Sequence, residues 1–152
     1  MTAIPVGWRE WVALPELGLP RLRAKVDTGA RSSALHVERH WRFFDGGAPW
    51  VGFVLLPHAH ADEVEAAAAI VDERMVTDSG GHRTQRVFVR TILRLAGFER
   101  EIEMNLADRC GMRFPLLLGR TALADAFMVD PAGSFLHRRR RPRRPPGTPH
   151  PV

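Results

Sequence analysis

The chain of 152 residues is poor in several groups that would widen its chemistry. Its single cysteine, Cys110, allows no intrachain disulfide and fits a reducing compartment. Its single lysine, Lys25, follows Ala24 rather than glycine, which excludes a phosphate-binding P-loop. The string His-Glu-x-x-His is absent, and with it the helix-borne zinc site that such a string builds. No apolar run reaches the roughly 18 residues of a membrane-crossing helix, and "MTAIPVGWRE" lacks the basic region and apolar stretch of a secretory leader. These absences predict a soluble, cytoplasmic protein with no membrane span, no metal and no cofactor.

What is present supports one domain, because 45% hydrophobic residues in a chain of this length suffice for a core. The net charge of +5 suggests nucleic acid at first sight, but it is unevenly placed. Arg138, Arg139, Arg140, Arg141, Arg143 and Arg144 account for six positive charges, so without them +5 becomes −1. The same stretch, 138–152, carries five of the twelve prolines. A segment of this composition cannot bury enough apolar surface to offset its ordering entropy. Residues 1–136 are therefore expected to fold and 137–152 to form a disordered Arg/Pro-rich tail, either a plain solvated end or an electrostatic arm for RNA or another acidic partner.

Alternation of apolar and polar residues dominates the folded part. Trp8, Val12 and Leu14 share one period-2 face, and "RLRAKV" sets Leu22, Ala24 and Val26 against Arg21, Arg23 and Lys25. Further strands are predicted over Ala34–Phe44, Val51–Leu56, Gln85–Leu95 and Arg100–Leu106, separated by the turn clusters "DGGAP", "DSGGH" and "AGFE". Short strands at this spacing imply an all-β barrel or sandwich. Asp62–Arg74 is rich in helix formers, yet "AIVDERMV" alternates, and a strand is the expectation there. "GRTALADAF" predicts one short helix after Gly119.

Two elements carry chemistry. "KVDTGA" brings a strand into Asp27-Thr28-Gly29, the tripeptide that presents the catalytic carboxylate of aspartic proteases. Gly29 permits a tight turn, Asp27 emerges at the strand end, and the Thr28 hydroxyl is free to bond across a dimer axis. "FPLLLGRTAL" supplies Leu117, Leu118 and Gly119, the apolar-apolar-Gly loop that packs beside such a turn. Either element alone fits an ordinary strand end; the ordered pair favours an active site.

With "VTDSGGHRTQRVFVRT", "MRFPLLLGRTAL" and "FMVDPAGSF", these stretches resemble the retropepsin-like bacterial family often called "ATP-dependent zinc protease". That family is associated with a glutamate ligase that modifies a ribosomal protein. The resemblance runs from Gly7 to about Phe135. It implies a retropepsin-like acid-protease β-barrel lobe with few short helices, acting as a homodimer on a peptide or protein substrate. It also implies association with the ligase or a ribosomal protein. The zinc and ATP of the family's usual label find no motif in this chain.

The tip "DSGGH" has two readings. Asp78-Ser79-Gly80 is a variant of Asp-Thr-Gly and so a second catalytic loop, but only one apolar-apolar-Gly partner is evident. The favoured reading is a hairpin tip, with Gly80 and Gly81 forming a flap from which Asp78, Ser79 and His82 touch substrate. The chain has no tyrosine, so the flap tyrosine of pepsin-like enzymes is missing. Ala30, Arg31 and Arg120 complete the expected substrate-binding set. Retroviral relatives place an acid where Arg31 stands; here Arg120 loses that partner, or finds Asp108 or Asp130 instead. Both arginines are then candidates to receive substrate carboxylates, as in glutamate-rich peptides.

A metal site has weaker support. His36 and His40 on one strand would lie about 13 Å apart, too far to share an ion. His58 and His60, with Asp62, would face one side of a strand and are the better metallohydrolase candidates. A third expectation is a non-catalytic module of the same fold that docks on ribosomal RNA or protein through its basic tail.

Overall fold

The computed structural model describes residues 2–78, 80–108 and 113–137. The expected tail beyond 137 and Cys110 lie outside the described residues. The expected all-β architecture is observed. Among the described residues, twelve strands are joined by turns, one 3₁₀ turn at Pro15–Leu17 and a single helical turn, α1, at Arg120–Leu123. The strands are β1 (Ile4–Val6), β2 (Arg9–Leu14), β3 (Leu19–Val26), β4 (Ser33–Val37), β5 (Arg39–Asp45) and β6 (Ala48–Leu55). They continue with β7 (Val64–Ala69), β8 (Asp72–Thr77), β9 (Arg83–Leu95), β10 (Phe98–Asp108), β11 (Leu116–Leu118) and β12 (Phe127–Val129).

The largest sheet runs β10-β4-β11-β3-β2-β9-β8, and β9 also pairs with β10, so six of its strands close into a barrel. Closure is thinnest between β2 and β9, where Ala13 faces Arg94. β9 outruns the barrel: its second half, from Phe88, pairs with β10, while its first half pairs with β8. The β8–β9 hairpin therefore projects from the barrel wall and carries the tip at 78–82. A second sheet, β5-β6-β7, lies against the barrel through Val51, Phe53 and Leu55 of β6, all fully buried. β1 and β12 form a separate parallel pair near the two ends of the described chain.

Most of this follows from period-2 patterning. Val12, Leu14, Leu22, Ala24 and Val26 all enter the core, while Arg21 and Lys25 stay outside. The β9–β10 connection is the two residues Ala96 and Gly97, both at positive φ, the geometry whose twist suits a two-residue hairpin. Asp62–Arg74 is strand on both sides of a break at 70–71, so pairing with β6 and β9 overrides helix propensity.

The predicted strand Ala34–Phe44 is corrected into two. β4 ends at Val37, and β5 begins at Arg39 in a different sheet. No glycine or proline marks the break; a change of burial does. All five β4 residues are buried between β10 and β11, whereas β5 is an edge strand and largely exposed.

Glu10 is the one acid on the inward face of β2. Its carboxylate accepts N–H groups from Gly7 at 2.7 Å, Leu136 at 3.1 Å and His137 at 3.1 Å, tying the end of the described chain to its beginning. Gly7 has no room for a side chain, because a Cβ there would lie 2.4 Å from the Gly133 carbonyl oxygen. Glu10→Ala strands three N–H donors and is expected to cost about 2–4 kcal/mol, with Glu10→Gln costing less because it keeps one acceptor oxygen. Thermal unfolding of the two variants against the parent checks this ordering.

Candidate active site

β3 delivers Asp27 to the rim of the barrel, and β11 inserts between β3 and β4, parallel to the first and antiparallel to the second. The inserted strand brings Leu117, Leu118 and Gly119 directly beside the Asp-Thr-Gly turn. The Asp27 N–H donates to the Leu118 carbonyl at 2.9 Å, and the Arg120 N–H donates to the Ala30 carbonyl at 2.8 Å. Thr121 donates to the Arg31 carbonyl through both its N–H at 3.3 Å and its hydroxyl at 2.8 Å. The Gly119 N–H donates to the buried Ser33 hydroxyl at 3.1 Å. Gly119 must be glycine, since a Cβ would fall 2.5 Å from the Ser32 carbonyl oxygen.

Within the turn, the Gly29 N–H donates to Asp27 Oδ1 at 3.0 Å and the Ala30 N–H to the Asp27 carbonyl at 3.2 Å. The carboxylate is thus aimed by its own loop. It is half-buried, whereas Thr28 and Gly29 are exposed. The Thr28 hydroxyl makes no hydrogen bond among the described residues.

Arg120 takes a backbone partner in place of an acid: its guanidinium donates to the Gly29 carbonyl at 3.3 Å. Asp108 instead lies 3.9 Å from His40, and Asp130 accepts the Ala132 N–H at 2.9 Å. Among the described residues neither Arg31 nor Arg120 forms an ion pair. Arg31 borders a cleft of about 280 Å³ with Arg74, Arg90, Glu101 and Glu103, in which Arg74 is already paired with Glu103 at 2.8 Å.

The tip of the β8–β9 hairpin is a turn closed by Asp78. Its Oδ1 accepts the N–H groups of Gly80 and His82, both at 2.9 Å, and the His82 ring lies 3.5 Å away. Gly81 sits at φ 84°. These contacts, the His82 N–H first, lower the pKa of Asp78 below the usual carboxylate value. Asp78 thus acts as the acceptor that closes its own turn. Ser79 lies outside the described residues. The tip overhangs a cleft of about 530 Å³ that gathers His36, His40, Asp78, His82 and Asp108, with Arg86 beside them. Asp27 does not line that cleft.

The proposed strand geometry of His58 and His60 is corrected. Both sit in the turn that follows β6, are exposed, and the His58 ring packs edge-on against Trp11. Among the described residues no cluster of three or more His, Cys, Asp or Glu could hold a metal.

Periodicity missed the polar bracing behind the site. Asn105, buried in β10, donates to the Ser33 carbonyl at 3.0 Å and accepts from Arg86 at 3.0 Å. A hydrogen-bonded relay therefore links the hairpin strand β9, through Asn105 and Ser33, to Gly119. The only sequence signal was a polar residue inside the apolar run "EMNLAD". Asn105→Ala is expected to destabilise by about 1–3 kcal/mol by stranding the Ser33 carbonyl. Chemical denaturation checks the magnitude.

A closed β-barrel whose Asp-Thr-Gly turn is braced by an inserted apolar-apolar-Gly strand is an acid-protease lobe of the retropepsin-like kind. Residues 5–140 match the family model described as "Retropepsin-like aspartic endopeptidase RimB", and the chain belongs to that RimB-like family. It is 36% identical over 132 residues to a Shewanella pealeana protein named "Probable alpha-L-glutamate ligase", covering 86% of this chain and 29% of the relative. A protein of the same name from Desulfotalea psychrophila is 36% identical over 129 residues, covering 84% of this chain and 28% of the relative. The chain thus spans less than a third of the length of these relatives. Its fold matches the crystal structure of Lpg0085 from Legionella pneumophila with a TM-score of 0.77 and 28% identity, over 90% of this chain and all of that one. Among the described residues, no helix is long and apolar enough to cross a membrane.

Proposed function

We propose that the protein is an aspartic endopeptidase that acts as a homodimer, with Asp27 of each copy meeting at a two-fold axis. The observation that carries this reading is the Asp27 carboxylate, fixed by the Gly29 N–H and braced through Leu118 at the barrel rim. Among the described residues, Asp27 is the carboxylate braced by an inserted apolar-apolar-Gly strand, while Asp78 stands at the tip of the β8–β9 hairpin. A second copy supplies a second such carboxylate and gives the exposed Thr28 hydroxyl a partner. Two carboxylates in hydrogen-bond range share one proton. The ionised member takes a proton from water as it attacks the scissile carbonyl, and the protonated member donates to the carbonyl oxygen. The two acid pKa values belong to the pair.

Asp27→Asn is expected to abolish peptide cleavage while leaving the dimer and its thermal stability intact, and chelators are expected to leave the parent active. Cleavage assays with sedimentation analysis check both halves; full activity in the Asn variant refutes the mechanism.

Arg31 and Arg120 favour a substrate rich in carboxylates. Arg31 faces a cleft shared with Arg90 and has no acid paired to it among the described residues. The relatives' name, a glutamate ligase, is in keeping with a glutamate-bearing substrate or a ligase partner. Glutamate-tailed peptides are expected to be cleaved at least tenfold better than neutral ones, and Arg31→Ala to erase most of that preference, each lost tenfold being about 1.4 kcal/mol. A preference unchanged in Arg31→Ala excludes the assignment.

A further inference from the structure

The outer face of the β2–β3 hairpin has no role in the reading above. Outward positions on these strands are Arg9 and Trp11 on β2 and Arg21, Arg23 and Lys25 on β3, with Arg9 opposite Lys25 and Trp11 opposite Arg23. No acid occupies an outward position on this face; the acid of β2, Glu10, is buried beneath it, and Glu16 lies in the turn beyond. Among the described residues none of these four cations forms an ion pair.

The arginines are held by aromatic faces. The Arg21 guanidinium lies 3.9 Å from the centre of the Trp11 ring, and Trp11 in turn stacks on Phe135 at 5.8 Å. Arg9 sits 4.7 Å from the Phe135 ring and 4.6 Å from Trp8, while Arg23 sits 4.9 Å from Phe114. Stacking fixes the plane of a guanidinium and leaves its N–H edge available. The Arg23 Nε is buried and the Arg9 Nε donates to the Ser134 hydroxyl at 2.7 Å, so Arg21 and Lys25 are the most accessible cations of the face. Alternate residues of a strand are about 7 Å apart, so Arg21, Arg23 and Lys25 form a regular row of cations.

The chain leaves this face as its arginine run begins. Phe135 is part of the stack, and the N–H groups of Leu136 and His137 are clamped by Glu10. His137, Trp11 and Arg21 also line a broad cleft of about 1050 Å³ at the end of the hairpin remote from Asp27. The six arginines follow from residue 138. Without them the chain sums to −1, so the positive charge of the rest of the chain is concentrated and not general.

We propose that this face binds single-stranded RNA. A nucleic-acid strand presents one phosphate per nucleotide, which a row of fixed guanidinium edges can meet in series. The half-buried Trp11 and Phe135, stacked on each other, give the bases apolar surface to pack on. An acidic polypeptide offers the row only carboxylates on flexible stems, with nothing for the aromatics.

The test measures binding of the full-length protein to a short unstructured RNA over a range of salt, with a poly-glutamate peptide as competitor. The expected result is salt-sensitive binding that Arg21→Gln weakens several-fold, flattening the slope of log affinity against log salt by about 0.7, the value for one phosphate contact on a single strand. Changing the six tail arginines to Gln is expected to weaken binding further while the residual affinity stays sensitive to Arg21→Gln. Arg21→Lys is expected to recover only part of the loss, since it keeps the charge without the planar fork. Lys25→Gln, on an exposed side chain, repeats the test should Arg21 variants fail to fold. No RNA binding, binding indifferent to Arg21 and Lys25, or displacement by poly-glutamate at lower concentration than by RNA would each overturn the proposal.

Discussion

The candidate site depends on one close approach, the main chain at Gly119 passing the Ser32 carbonyl with no space for a methyl group. That contact lets β11 slide between β3 and β4, and the long-range hydrogen bonds that brace the Asp27 loop, from Asp27 to Leu118 and from Arg120 and Thr121 to Ala30 and Arg31, follow from it. The partners are far apart in sequence, Gly119 and Ser33 by 86 residues. The aspartate therefore acquires its geometry only when the barrel has closed, and the site and the fold form together. Loop-closure entropy makes such non-local pairing slow to form, which is the ordinary condition of a β-barrel.

Polar groups behind this contact are held as firmly as the apolar ones. Ser33 uses its hydroxyl for Gly119 and its carbonyl for Asn105, and Asn105 reaches on to Arg86. A buried network of this kind is costly when incomplete and specific when satisfied. It gives the hairpin strand β9 and the loop at Gly119 a shared reference frame. Displacing either end breaks a buried hydrogen bond.

How much of this could be read from the sequence depended on whether one residue or many carried the signal. The inward faces of β2 and β3, the hairpin tips and the pairing of Asp27-Thr28-Gly29 with Leu117-Leu118-Gly119 were legible, because each rests on local periodicity or turn chemistry. The reversal at Glu38 was not, since it is set by β4 being covered on both faces while β5 lies at an edge. The roles of Glu10 and Asn105 were hidden too, as a buried polar residue interrupts an alternating pattern without saying what it bonds. The His58 and His60 pair misled for the converse reason: two residues of the right kind stood at strand spacing, but the chain there turns.

Arg31 and Arg120 show how the loop dispenses with the acid that its retroviral counterparts carry. Arg120 is satisfied by the Gly29 carbonyl and its own N–H by the Ala30 carbonyl, so the bracing of the turn is made by the backbone. Backbone acceptors fix geometry as a carboxylate would, yet they add no negative charge beside Asp27. The cleft that Arg31 borders also holds Arg90 and Glu101, while Arg74 is taken up by Glu103 and Asp72. Asp27 is the carboxylate of the Asp-Thr-Gly turn, and under the proposed mechanism its partner in proton sharing is Asp27 of a second copy.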